Sequence, residues 1–216
     1  GSFMPAVAAA AGRDELDWEG LTTFFAYGFF GGERTHFRGV SILRPATHYH
    51  LYGRGRLLSE ERYWRWHHAP DHARSYDDTV DTFATLFGEV MRDLTAIGRV
   101  AIPISGGLDS RSTVAPFGDG PGETAPSAER FWAYSYGYSN DSIETRIAAQ
   151  VAAARGLTFT PFTILPYLFD KLPQIMAVVE GFEDLTLCRQ ASIIDTLDHH
   201  ADFLIAAHGG DLYLDA

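Results

Sequence analysis

A chain of 216 residues, 46% of them hydrophobic, suffices for one large domain, or for a medium domain and a piece of another, around a substantial core. Its formal net charge of −11 repels nucleic acid and anionic membrane, so neither is expected as a partner. The single cysteine, Cys188, excludes an internal disulfide and fits a reducing, cytoplasmic setting, and no apolar run approaches the ~20 residues that span a bilayer.

In chain order, Ala6 to Ala11 is apolar but short, and acidic residues follow it, so it does not read as a signal peptide. Leu21, Phe24, Phe25 and Phe29 sit at helical spacing. Three β-prone runs come next, Thr35 to Leu43, His48 to Tyr52 and Arg62 to Trp66, with turns at Gly31-Gly32, Pro45 and Gly53. Trp64 and Trp66 are expected to fill core between the domains. The polar, proline-bearing stretch around Pro70 reads as a linker. The expected organisation is a first domain over 1–68, a linker over 69–76 and a second domain over 77–216.

From Ser75 the pattern changes to alternating helix and strand. Ser75 and Asp78 have capping-box spacing. Val80, Phe83, Phe87, Val90, Met91 and Leu94 then form one stripe expected to be buried, and Gly98 is expected to end the helix. Val100 to Ile104 is a short apolar strand. Phe131 to Tyr136 is a second strand, and Asn140 or Asp141 would cap a helix carrying Ile143, Ile147, Val151 and Ala154 that stops at Gly156. Leu157 to Phe162 reads as a third strand. Pro166 opens a helical pattern interrupted at Pro173. Residues 189–200 are helical, and Phe203 to Ala207 is a fourth strand. This alternation predicts an α/β fold, a parallel twisted sheet with helices on both faces.

The chemistry concentrates in the loop Ser105-Gly106-Gly107-Leu108-Asp109-Ser110, placed between a buried strand and a helix. Two glycines let backbone approach an anion without side-chain clash. A helix starting near Asp109 would turn unpaired N–H groups toward a phosphate, and Ser105 and Ser110 add hydroxyls. Asp109 repels phosphate directly, so its sensible role is as a ligand for a magnesium ion shared with the phosphates. The loop is neither a Walker loop nor a dinucleotide fingerprint. Its bland alternative is a ligand-free glycine turn.

Ser-Gly-Gly-x-Asp-Ser resembles the pyrophosphate loop of the N-type ATP pyrophosphatases, and three further segments resemble one branch, the asparagine synthetase family. Residues 131–148 are similar to that family's second strand and helix, residues 205–211 to its Ser-Gly-Glu-Gly-x-Asp-Glu loop, and Thr35 to Ala46 with Tyr63-Trp64 to the end of its glutaminase domain. The resemblance implies an adenine-nucleotide α-hydrolase-like domain behind a β-rich glutaminase-like remnant. It implies ATP and Mg2+ as cofactors, a small-molecule or peptide carboxylate activated as its adenylate, and an amine that attacks it. Asp109 and Asp211 would ligate magnesium. Pro103 and Tyr136 would line the adenine pocket, and Ala207 and Gly209 would join the loop residues around ATP.

The sequence departs from the family in several places. His208 stands where the family has glutamate, as a candidate proton carrier, and Leu212 replaces an acid. The N-terminal nucleophilic cysteine has no counterpart, and the family's later helices and lysine lie beyond Ala216. A catalytically silent nucleotide-binding or scaffold fragment is therefore the alternative, with a homo-oligomer or a completing polypeptide as possible partner. Arg189 is a candidate for a carboxylate, and Glu180 or Glu183 for an amine. The groups His67, His68, Asp71, His72 and His199, His200, Asp202 read as solvated side chains rather than metal sites, and Cys188 as a packed thiol.

Overall fold

A computed structural model describes residues 4–10, 12, 15–118, 130–139 and 141–207. The chain forms two compact units, Gly1–Asp71 with Leu172–Cys188, and His72–Lys171 with Arg189–Ala216.

In the first unit, α1 (Met4–Ala10) is followed by α2 (Trp18–Tyr27). Asp17 caps α2 by accepting the Gly20 N–H at 3.1 Å. The Gly20 amide, then the Arg34 guanidinium 2.9 Å away, hold its carboxyl below the ordinary value against the opposing effect of burial. Gly28, left-handed at φ 81°, closes the helix with an N–H bond to the Phe24 carbonyl. The run Thr35 to Leu43, expected as a strand, is irregular and contributes only an isolated bridge between Leu16 and Phe37. Fully buried Thr35 is the reason: its hydroxyl donates to the Val40 carbonyl at 2.9 Å and accepts the Phe37 N–H at 3.1 Å. The ladder groups are thus consumed locally.

The hairpin pairs β1 (Thr47–Tyr52) with β2 (Arg56–Arg62), antiparallel, through Gly53-Arg54-Gly55, all with positive φ. The expected strand Arg62 to Trp66 is therefore displaced toward the turn, because three residues suffice to reverse the chain. Trp64 and Trp66, expected in core, are 56% and 62% exposed, and their rings meet edge to face. A two-stranded ribbon has one layer and leaves such rings uncovered.

In the second unit, α3 (Tyr76–Thr95) starts at Ser75. The Ser75 hydroxyl accepts the Asp78 N–H at 3.0 Å and donates to its carboxylate at 2.7 Å. Only Met91 and Gly88 of its apolar-facing positions are buried, with Phe87 packed against the core. Val80, Phe83, Val90 and Leu94, expected to be buried with them, are 40% to 53% exposed. Length explains this: twenty helical residues span about 30 Å, and a four-residue strand about 13 Å. The helix closes at Ala96 rather than at Gly98. Gly98 instead leaves room for Phe203, whose ring a Cβ there would approach to 3.0 Å.

The remaining elements are β3 (Val100–Pro103), α4 (Leu108–Ser112), β4 (Phe131–Gly137), α5 (Ile143–Ala154), β5 (Thr158–Thr163), α6 (Leu168–Val179), a 3-10 turn at Arg189–Ile193, α7 (Ile194–His200) and β6 (Phe203–Leu204). The α5 cap is Ser142, which accepts the Thr145 N–H; Asp141 instead accepts the Ser139 hydroxyl, and Asn140 lies outside the described residues. α6 continues through Pro173, where the bond lost is to the carbonyl of strongly exposed Phe169, within reach of water.

The four strands are all parallel, in the order β5-β4-β3-β6. Alternation sends Val100, Ile102, Phe131 and Ala133 to one face, against Met91 of α3 and Ala148 and Ala152 of α5. It sends Ala101, Trp132 and Tyr134 to the other, against Ile193 of the 3-10 turn and Leu197 of α7. Helices thus flank both faces, as the alternating pattern predicts. β6 is shorter than the predicted Phe203 to Ala207. Ile104 donates to Tyr134, so the N–H positions of β3 that face β6 are those of residues 101 and 103. Ile205 still donates to Ala101 at 3.0 Å, but residue 103 is proline and has no N–H to continue the ladder.

Candidate functional site

The chain runs outward from β3 through β4 to β5, then returns to place β6 on the other side of β3. The order therefore reverses between β3 and β6, and the carboxyl ends of strands at such a reversal flank a crevice. The loop Ser105 to Ser110 leaves β3 at that reversal.

Within the loop, Ser105 and Ser110 clasp each other. Their hydroxyls are 2.8 Å apart, the Ser105 N–H donates to Ser110 Oγ at 2.9 Å, and the Gly107 N–H donates to Ser105 Oγ at 3.1 Å. The serine hydroxyls, expected to face an anion, thus fix the shape of the loop. The backbone N–H groups of Gly106, Leu108 and Asp109 have no partner among the described residues. Neither glycine adopts a left-handed conformation. α5 passes beside Gly106, where a Cβ would sit in ordinary contact with Glu144 and Ile147 at 3.4 and 3.5 Å. The following helix α4 is barely more than one turn, so any anion would be met chiefly by individual N–H groups and little by a helix dipole.

Asp109 is half-exposed, and its carboxylate has no side-chain partner among the described residues. Its chemistry suits magnesium, which commonly takes one or two protein carboxylates and completes its shell with phosphate and water. Among the described residues no cluster of three or more metal-ligating side chains forms. His208, Gly209 and Asp211, the other half of the expected site, lie outside the described residues, and Ala207 is the last residue before them.

Pro103 and Tyr136 share the α7 face of the sheet by alternation, Pro103 in register with Tyr134. Both are half-buried. Tyr134 between them is fully buried, and its hydroxyl has no partner among the described residues. Burial, with Tyr136 contributing, pushes its phenol well above the ordinary value. Tyr134 escapes a reading for motifs because it looks like one more core aromatic. Rings of Trp132, Tyr134 and Tyr136 form a ladder toward the carboxyl edge, and His200 stacks on Trp132 at 4.8 Å.

The weaker candidates are not gathered into sites. His200 is held by Trp132 and the Thr196 carbonyl, while Asp202 pairs with Arg99 at 2.8 Å. His67, His68 and His72 are exposed. Glu180 accepts the Met4 N–H. Cys188 is held above its ordinary value by desolvation, then by Glu183 and Asp184, which makes it a poor nucleophile.

No protein-family model and no curated protein matches the chain. Solved structures that overlap it include an NH3-dependent NAD synthetase from Campylobacter jejuni subsp. jejuni NCTC 11168 in complex with nitrate, at 12% identity and TM-score 0.36 over 66% of this chain and 61% of that one. Another is a glutamine-dependent NAD+ synthetase from Acinetobacter baumannii in complex with ADP, at 15% identity and TM-score 0.39 over 74% and 30%. The chain thus spans less than two thirds of either protein's length. Overlaps this loose carry no functional assignment, which has to rest on the chain's own residues.

Proposed function

We propose that the chain is the ATP-using part of an amide-bond-forming ligase of the asparagine synthetase type, with an adenine-nucleotide α-hydrolase-like sheet. The observation that carries this reading is the Ser-Gly-Gly-Leu-Asp-Ser loop, clasped by its own serines, at the strand-order reversal of a parallel sheet. Free N–H groups of Gly106, Leu108 and Asp109 would receive the pyrophosphate portion of ATP. Asp109, with Asp211, would hold magnesium, which neutralises charge building on the departing pyrophosphate. Pro103 and Tyr136 would border the adenine, and Ala207 and Gly209 the phosphates.

In the reaction, a carboxylate oxygen of the substrate attacks the α-phosphorus as the bond to the β-phosphate oxygen breaks. Pyrophosphate leaves and an acyl-adenylate forms. An amine then attacks the acyl carbon, AMP departs, and the amine loses its proton, for which His208 is the candidate acceptor. The loop's contribution is to position and to stabilise charge with groups already fixed before ATP arrives.

ATP–pyrophosphate exchange with a panel of carboxylic acids tests the reading. Exchange that disappears in Asp109→Asn, with folding intact, is the expected result. Tight ATP binding without exchange under any acid marks a silent nucleotide-binding domain instead, a reading favoured by His208 and Leu212 standing where the family has acidic residues.

A further inference from the structure

The second unit carries a cavity of about 430 Å3 at the carboxyl ends of β4 and β5. Tyr138 follows β4 directly, and buried Ile164, whose N–H donates to the Gly137 carbonyl at 2.8 Å, follows β5. Leu165, Tyr167, Leu168 and Phe169 complete the apolar wall. The volume lies within the range of small-molecule sites. Tyr138, Leu165 and Phe169 are 70%, 68% and 87% exposed, so three large apolar side chains around one hollow stand in water. Two charges accompany them: the Arg189 guanidinium sits 5.9 Å from the Tyr138 ring centre, and Asp170 is part of the lining.

We infer that this cavity takes the apolar body of a monocarboxylic acid, the acyl substrate of the ligase reading above, on which this inference rests. The strands are parallel, so the cavity and the loop after β3 both lie at the carboxyl edge of the sheet. One to two strand spacings, about 5 to 10 Å, separate them laterally. An acid lodged there by an aromatic or branched aliphatic body can extend its carboxylate toward a nucleotide held by the loop. Arg189 supplies an attractive cation beside the wall for that carboxylate. Asp170 repels a second carboxylate that lacks a neighbouring ammonium, and aspartate and glutamate are disfavoured because their polar bodies gain little from the apolar wall.

The test uses the whole chain with 4-phenylbutyrate as apolar probe and L-aspartate as its counterpart, both followed by ligand-observed NMR without ATP. Phenylbutyrate is expected to bind and aspartate not to. Leu165→Asp is expected to weaken phenylbutyrate binding about tenfold, the effect of losing one apolar contact and adding a repelling charge. Phe169→Ala serves as the second variant, and both positions are exposed, so folding is retained. Phenylbutyrate binding unaffected by both variants, absence of phenylbutyrate binding, or preferential binding of aspartate overturns the inference. Exchange supported by aspartate and not by apolar acids overturns it while leaving the ligase reading intact. Loss of ATP binding and of exchange with every acid removes the ligase reading, and with it the acyl role, whereas the NMR result still decides what the cavity accepts.

Discussion

Three residues of the candidate site report their roles through stability. Ser105 and Ser110 exchange a hydroxyl hydrogen bond at 2.8 Å in a partly exposed loop. A double-mutant cycle with alanine at both positions should give a coupling of about 1 kcal/mol in urea unfolding. Coupling near zero would mean that the clasp does not shape the loop. Tyr134 is the converse case, a buried hydroxyl without a partner among the described residues. Removing it in Tyr134→Phe should stabilise the fold by about 1 kcal/mol, since an unsatisfied buried group is a cost. The pH dependence has a definite sign. The folded-state value of Tyr134 is raised, so its neutral form is favoured by folding and its contribution is intact at neutral pH. That contribution falls as pH rises above about 10, the unfolded value, toward the folded one. Urea midpoints of the native chain should therefore drop more steeply in that alkaline range than those of Tyr134→Phe.

At the scale of elements, close approaches hold the edges of the sheet. A Cβ on Gly137 would lie 2.5 Å from Ser142 Oγ, the atom that caps α5. Gly137→Ala should displace that serine and cost about 1 kcal/mol, the usual worth of an N-cap, with faster amide exchange in the first turn of α5. The short β6 depends on Arg99, which donates to Asp202 through its backbone and its guanidinium. These bonds hold the Asp202 carboxyl below its ordinary value, so the contribution is present above about pH 4 and lost as pH falls through the lowered value. Amide shifts of Phe203 and Leu204 should follow that acid titration, and Asp202→Asn should abolish it. How legible an element was depended on where its hydrogen bonds go. α3 starts at the expected Ser75, whereas the α5 cap falls on Ser142 and not on Asn140 or Asp141, and Val100 to Ile104 is apolar throughout. Thr35 to Leu43 reads as a strand and is not one, because a single buried hydroxyl redirects its backbone.

For the whole molecule, the exposed apolar surface is the dominant fact. Phe83, Leu86 and Val90 on α3, and Leu51, Leu57, Trp64 and Trp66 on and beyond the hairpin, are all at least 47% exposed. Surface of this kind is normally covered by another chain or layer. The chain should associate with itself as concentration rises, visible in sedimentation velocity, and Phe83→Lys should reduce that association. A monomer persisting at concentrations of about 0.1 mM would contradict the expectation, since patches of several hundred Å2 suffice for weak association.

The alternation of strands and helices, and hence a parallel sheet covered on both faces, is written in the residue order, because periodicity records which side of each element must leave water. The loop is written there too, since glycine, serine and aspartate at fixed spacing have few chemical uses. Tertiary structure alone decided that β6 lies beside β3, which puts the loop at the reversal of strand order. It alone decided that the two serines bind each other. It gathered Tyr138 and Leu165 to Phe169 around one cavity. These are contacts between residues far apart in the chain or turned by a particular backbone path, and no local pattern of hydrophobicity or spacing encodes them.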